Sequence, residues 1–321
     1  MAIIKLTPAF KDYIWGGTRL RDDFGKQCSF DKVAESWELS CHKDGPSVVA
    51  TGEDAGLTLR EYIEKHGKQV LGTACERFGD FPILIKLIDA KDNLSVQVHP
   101  DNEYAQRVEG EFGKTEMWYV VDCDEGAELL YGFKHQISKE EFAERIANNT
   151  LLEVTNNVPV HKGDVFFIEA GTLHAIGKGI LIAEIQQNSN TTYRIYDYGR
   201  VGKDGKPREL HVEKAKDVTV LAPAKQYPET PVERFEGYIS KLMASCEYFT
   251  TYVLDIEDKA ELEADGSSFA DLLILEGEGT VTGGDSVSFV KGDSIFITAG
   301  TGKFTVSGRC RAVLTRIDEK Q

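Results

Sequence analysis

In the stretch LSVQVHPD, residues 94 to 101, Leu94, Val96 and Val98 alternate with Ser95, Gln97 and His99. A period of two puts the three polar side chains on one face of a strand. Such a face ordinarily looks at water. It can also look at a metal ion, because residues two apart on a strand have Cα atoms only about 6.6 Å apart. An amide oxygen from Gln97 and an imidazole nitrogen from His99 could then reach one cation. Two donors do not make a site, and the chain offers two more. GKTEMWYV (113 to 120) puts Glu116 at the mouth of an apolar strand, and AGTLHAIG puts His174 just after another. Taken separately, Glu116 reads as a surface charge and His174 as a hydrogen-bonded core residue. Taken together, Gln97, His99, Glu116 and His174 form a set of nitrogen and oxygen donors that suits zinc and leaves iron, manganese and cobalt open.

Strands must position these donors. FPILIKLID, LSVQVH, EMWYVVD, DVFFIE, GILIAEIQ and TTYRIYDY all read as strands, and more follow after residue 238. Helical periodicity is confined to LTLREYIEKHGKQVL (57 to 71), to SKEEFAERIANN (138 to 149) and to a final helix near 211 to 219. Ser138 followed by Glu141 resembles a capping box. GKDGKPREL (202 to 210) reads as a turn, and APAKQYPETPVE (222 to 233), with three prolines, as a linker or strap. The chain also repeats itself. KGDVFFIEAGTLH, starting at 162, aligns without gaps to KGDSIFITAGTGK, starting at 291, a shift of 129 residues. Lys-Gly-Asp, the apolar strand and Ala-Gly-Thr recur, whereas His174 becomes Lys303. The turns are therefore scaffold, and the histidine is what the first copy adds.

Composition bounds the function. The chain has 321 residues, 41% of them hydrophobic and 28% charged, as expected of a globular protein divided into two domains. A formal charge of −16 argues against nucleic acid and anionic membrane as partners, though not against a small anion held by a few inward-facing cations. The opening MAIIKLTPAFKDYIWGG lacks a basic stretch followed by a long apolar core, so neither a secretory signal nor a membrane span is expected. Six cysteines without CxxC spacing point to reduced thiols and a cytoplasmic location.

Gly-Asp, a short strand and then Gly-x-x-His resembles the second motif of the cupin superfamily, although Glu169 stands where cupins often have proline. EGEGTVTGG (276 to 284) resembles a cupin hairpin, in a second unit that should lack metal. The expected fold is mainly β, with two cupin-type jelly-roll units and a helical insertion in the first half. Residues 1 to 221 would form the metal-binding unit, 222 to 237 a linker and 238 to 321 a degenerate cupin-like unit. QVHPD, GKTEMWYV, AGTLHAIG and EIQQNSNTTYRIYDYGR, with Tyr13, Trp15-Gly16-Gly17 and FPILIKLIDA, are similar to the successive signatures of the type I mannose-6-phosphate isomerase family in its short bacterial form.

That resemblance implies one zinc ion per chain on Gln97, His99, Glu116 and His174, with a site charge near +1 that preserves Lewis acidity. It implies interconversion of mannose 6-phosphate and fructose 6-phosphate through an enediol, with Arg194 as the catalytic arginine. Glu184 and Lys114 match further active-site positions, where a Lys–Glu pair could share a proton. Lys86 and Ser95 match positions at the phosphate end. Glu184, Lys114, a ligand histidine and a water on the metal all stay open as the C2 base. The family usually has aspartate where this chain has Asn190, which puts that carboxylate's part in doubt. Two other readings are a non-catalytic sugar-binding cupin, which the full donor set and Arg194 argue against and Asn190 keeps open, and an iron-dependent cupin oxygenase. Oligomeric state has no signature in the sequence.

Overall fold

The structure is a computed structural model that describes residues 2–202 and 205–319. Lys203 and Asp204, in the turn expected over 202 to 210, lie outside the described residues. The fold is mainly β, as the alternation predicted. A six-stranded antiparallel sheet runs in the order Val165–Ile168, Glu116–Cys123, Ile180–Gln187, Ile83–Ala90, Glu35–Leu39 and Ala9–Lys11. A five-stranded sheet runs Tyr193–Tyr196, Val96–Val98, His174–Ala175, Glu128–Phe133 and Thr155–Pro159. The two meet over Ile88, Trp118, Val120, Ile182, Leu129 and Tyr131, which form the apolar floor of the first jelly roll. Behind the five-stranded sheet, Val96 and Val98 pack with Phe142 and Ala215 of the helices Lys139–Ala147 and Val212–Val218. Because Val96 and Val98 point outward to those helices, Ser95, Gln97 and His99 face the interior between the sheets.

A ten-stranded sheet makes the second unit, built mostly from Val232–Phe235 to Gly302–Arg316. Its own core holds Leu272, Ile274, Ile295, Phe304 and Ala312. A separate buried cluster joins the outer face of the six-stranded sheet (Ile83, Ile85, Met117, Ile185) to Phe249, Phe269, Leu273 and Phe296 of the second unit. The first strand of the chain, Ile3–Thr7, belongs to this ten-stranded sheet and pairs with Ser294–Ile297. Residues 222 to 231 run as a strap on the first unit, where Pro223 bridges to Gly132 and Tyr227 packs edge-on to Phe167.

The internal repeat is structural. Val165–Ile168 and Ser294–Ile297 are strands at the same 129-residue shift. Gly163 and Gly292 share φ values of 95° and 94°, and Gly171 and Gly300 lie at 87° and 77°, a region open to glycine. The helical insertion is more broken than its periodicity suggests. Leu59–His66 is an α-helix, but Gly67, at φ 85°, ends it before a short 3₁₀ turn over Lys68–Leu71. Its N-terminus carries the reciprocal Thr58–Glu61 capping box. At the other helix only half of the expected box forms. Ser138 Oγ accepts from Glu141 N, while the Glu141 carboxylate accepts from Arg145 one turn on. The helix Asn102–Val108, capped by Asp101, has no counterpart in the sequence reading. No helix among the described residues is long and apolar enough to cross a membrane.

Candidate metal and catalytic site

The strand registers assemble the site in two rows. On the five-stranded sheet Gln97 pairs with His174 on one side and Arg194 on the other. On the facing sheet Trp37, Lys86, Glu184 and Trp118 are successive cross-strand neighbours. Glu116, the first residue of its strand, lies two positions before Trp118 on the same face. His99 follows directly after the strand that carries Gln97.

Among the described residues, His99, Glu116 and His174 are the acidic, histidine or cysteine group compact enough for one ion, with ligand atoms within 4.8 Å of one another. His99 Nδ1 bonds the Thr191 carbonyl at 2.9 Å and His174 Nδ1 bonds the Thr172 carbonyl at 2.8 Å. Both Nε2 atoms are thereby turned to Glu116, at 3.6 and 3.2 Å from its Oε1. Carbonyl partners of this kind fix the tautomer that a ligating imidazole needs. Burial, joined by Lys114, pushes His99 down to about 3. His174 is also lowered, chiefly by burial, so both rings are neutral lone-pair donors. Burial by itself would raise the Glu116 carboxyl, but Lys114 and the histidines hold it well below the usual carboxylate range. Gln97 completes the set, its amide 3.4 Å from His174 Nε2, and turning that amide over directs Oε1 there.

Glu116 provides the test of fit. It is 0% exposed, and neither carboxylate oxygen accepts a hydrogen bond. Lys114 Nζ lies 3.1 Å from Oε2 without the alignment of a hydrogen bond. A buried ionised carboxylate with both oxygens unsatisfied is costly unless a cation meets it. Two neutral imidazoles, one carboxylate and one amide oxygen are a donor set that fits a divalent ion such as zinc.

The remaining expected residues fall into two groups. Arg194 reaches the same chamber: its Nε donates to Ser95 Oγ at 3.2 Å and Nη1 to the Glu209 carbonyl at 2.9 Å. Burial, with Arg208 next, lowers its pKa. Lys114 pairs with Glu116 and lies 3.3 Å from His99 Nε2. Glu184 has a different lysine as its partner. Lys86 Nζ lies 3.1 Å from Glu184 Oε1 and 3.8 Å from Glu35 Oε2, because Lys86 and Glu184 are direct cross-strand partners. Lys86 is 3% exposed and does not reach solvent. Burial and Glu116 raise Glu184, while its Oε2 accepts from Trp118 Nε1 at 2.9 Å. The Trp118 ring also stands edge-on to His174, 5.3 Å between centroids, and so links this group to the metal ligands. Asn190 sits at the exposed rim, donating to Asp44 Oδ2 at 3.0 Å. Glu35 and Trp37, bonded to each other at 2.7 Å, are part of the site and were missed. The signal was present in ESWEL, where Glu35 and Glu38 sit among Trp37 and Leu39 in a strand that is buried throughout.

Fold and chamber together define a cupin-class protein whose first barrel holds the candidate metal site, with a second cupin unit beside it. Residues 3–129 match the family model for the phosphomannose isomerase type I catalytic domain, and residues 238–317 the model for the mannose-6-phosphate isomerase cupin domain. A putative mannose-6-phosphate isomerase of Bacillus subtilis is 40% identical over 98% of both chains. The mannose-6-phosphate isomerase of Streptococcus mutans is 40% identical over 88% of both. The crystal structure of the Bacillus subtilis mannose 6-phosphate isomerase superposes with a TM-score of 0.93 at 39% identity, covering 99% of this chain and 100% of that one. The chain belongs to the type I mannose-6-phosphate isomerase family.

Proposed function

We propose that the protein interconverts mannose 6-phosphate and fructose 6-phosphate, with one zinc ion per chain held by Gln97, His99, Glu116 and His174. The observation that carries the metal assignment is the convergence of two neutral imidazoles on the buried Glu116 carboxylate, whose charge Lys114 partly balances and whose oxygens accept no hydrogen bond. When bound, zinc supplies Lewis acidity toward a substrate oxygen. The chain's own residues do the rest. Arg194, at the edge of the ligand row, provides a fixed positive charge for the enediolate that forms when the C2 proton leaves. Glu184 is buried with a raised pKa beside Lys86, and Lys114 stands against Glu116 and His99, so these two groups are suited to carry protons between C2 and C1. Ser95 and Lys86 match the phosphate end of the sugar in the family signature, but here Ser95 is bonded to Arg194 at 3.2 Å and Lys86 stands 3.1 Å from Glu184, beside the groups proposed to act at C1 and C2. The six cysteines are unpaired, which supports a reducing cytoplasmic setting.

A coupled assay of the purified protein tests the whole reading. Mannose 6-phosphate should be isomerised far faster than free mannose, and activity should fall with a chelator and return with added zinc. Sugar binding without turnover would favour the non-catalytic cupin, and oxygen consumption with stoichiometric iron would favour the oxygenase.

A further inference from the structure

The segment that presents Lys114 and Glu116 is held by side chains that are remote in sequence. Residues 113 to 116 are buried and lead into the strand, where Gln187 N donates to the Thr115 carbonyl at 3.1 Å and Glu116 pairs with Gln186 and Ile168. Each backbone N–H ahead of Glu116 has a specific acceptor. Gly113 N donates to Asn102 Oδ1 at 2.8 Å, Lys114 N to the Pro100 carbonyl at 2.9 Å and Thr115 N to Gln187 Oε1 at 2.9 Å. Gln187 Nε2 in turn donates to Asn102 Oδ1 at 2.9 Å, so one amide oxygen receives both the incoming chain and the second clamp. A Cβ at Gly113 would come within 2.4 Å of the Asp101 carbonyl carbon, so the segment lies directly on the backbone that follows His99. The clamp thus ties the carboxylate ligand and its lysine to the loop of the histidine ligand. It then leaves the first unit. Asn102 Nδ2 donates at 3.0 Å to the hydroxyl of Tyr248, in the loop between Tyr238–Ser245 and Thr250–Ile256 of the second unit.

We propose that Asn102 and Gln187 are positioning residues that fix Lys114 and Glu116 against His99, and that Tyr248 braces this clamp from the metal-free unit. The inference rests on the metal site proposed above, but its test does not depend on the isomerase reading. Satisfied amide clamps of this kind hold a first ligand in place, and partners one step behind a ligand typically change metal affinity or activity by about 10- to 100-fold. The degenerate unit then has a function in the chemistry without a metal of its own.

The experiment measures zinc release to a chromophoric chelator from zinc-loaded protein, alongside kcat and KM for mannose 6-phosphate. Asn102→Ala removes the shared acceptor and should release zinc about 10-fold faster or more, with kcat reduced and KM little changed. Asn102→Asp keeps the acceptor for both donors and should restore release to within about 3-fold of wild type, below the roughly 10-fold effect expected for losing such a partner. Tyr248→Phe removes one oxygen at the margin of the fold and should give an intermediate acceleration. It also covers the case in which Asn102→Ala fails to fold. Wild-type release from Tyr248→Phe and Asn102→Ala would overturn the proposal. So would equal impairment in Asn102→Asp, because packing alone would then explain the loss. If wild type fails to isomerise mannose 6-phosphate yet the release rates follow this order, the clamp stands and the substrate assignment falls.

Discussion

Arg194 is the cation of the chamber that no carboxylate neutralises among the described residues, whereas Lys86 is held between Glu184 and Glu35 and Lys114 is held by Glu116. A guanidinium anchored by Ser95 and the Glu209 carbonyl is preorganised for a developing anion and contributes little to holding metal. Arg194→Ala should therefore retain zinc and thermal stability while kcat falls by about 10²-fold or more. An unchanged kcat would remove it from the mechanism. At this scale the sequence was most informative where a residue acts by its own chemistry. Gln97, His99, Glu116 and His174 stand out in the sequence by type, spacing and family signature, and the fold brings them together. Asn102, Gln187 and Glu35 act by holding something else, and their partners lie at other points in the chain, Asn102 and Gln187 being 85 residues apart. No local pattern marks such a pair.

The repeated element, Gly-Asp, strand, Ala-Gly-Thr, separates scaffold from site. Its two copies share strand limits and glycine conformations, yet the variable end position is buried His174 in one and exposed Lys303 in the other. His174→Ala should lose bound zinc and activity together, since three donors hold the ion less well than four. Lys303→Ala should leave zinc content at one per chain by elemental analysis. A drop in the Lys303 variant would mean that the second copy takes part in binding after all. The strands were legible because two-residue alternation survives burial on one face. The limits of the helices were less so: Gly67 cuts the periodic stretch 57 to 71 in its last third, and only its left-handed backbone shows that the apolar pattern continues without the helix.

Across the whole molecule, we propose residues 1 to 221 and 238 to 321 as the two units, with the strands Ile3–Thr7, Val48–Val49 and Val232–Phe235 from outside the second unit joining its sheet. The two units are bound together by a core that is not wholly apolar. Asp271 faces that junction, fully buried, with Ser294 Oγ donating to Oδ1 at 2.9 Å and Thr315 directly across the strand pair. Its Oδ2 and Thr315 Oγ1 both lack partners. Burial, with Glu38 adding to it, pushes the carboxyl up to about 8 from an ordinary 3.8. The folded protein then keeps a proton that the unfolded chain releases, so this group lowers stability as pH rises from about 4 to 8. One proton corresponds to a slope of at most about 1.4 kcal/mol per pH unit. Asp271→Asn should flatten that slope, leaving the unfolding midpoint in urea close to wild type near pH 4 and higher than wild type near pH 8. A parallel pH profile in the variant would show that Asp271 ionises freely in the folded state.

The pairing of Ile3–Thr7 with Ser294–Ile297 has a consequence during synthesis. Ile3, Ile4 and Leu6, buried in the finished protein, are made long before the strand Ser294–Ile297 that covers them. At roughly 5–20 residues per second, the nascent chain carries an open apolar edge for about 15 to 60 s. A ribosome-associated chaperone that covered Ile3–Thr7 over that interval would keep the edge from pairing wrongly. A product cut short by a premature stop never closes that edge and so carries a standing signal for aggregation or degradation.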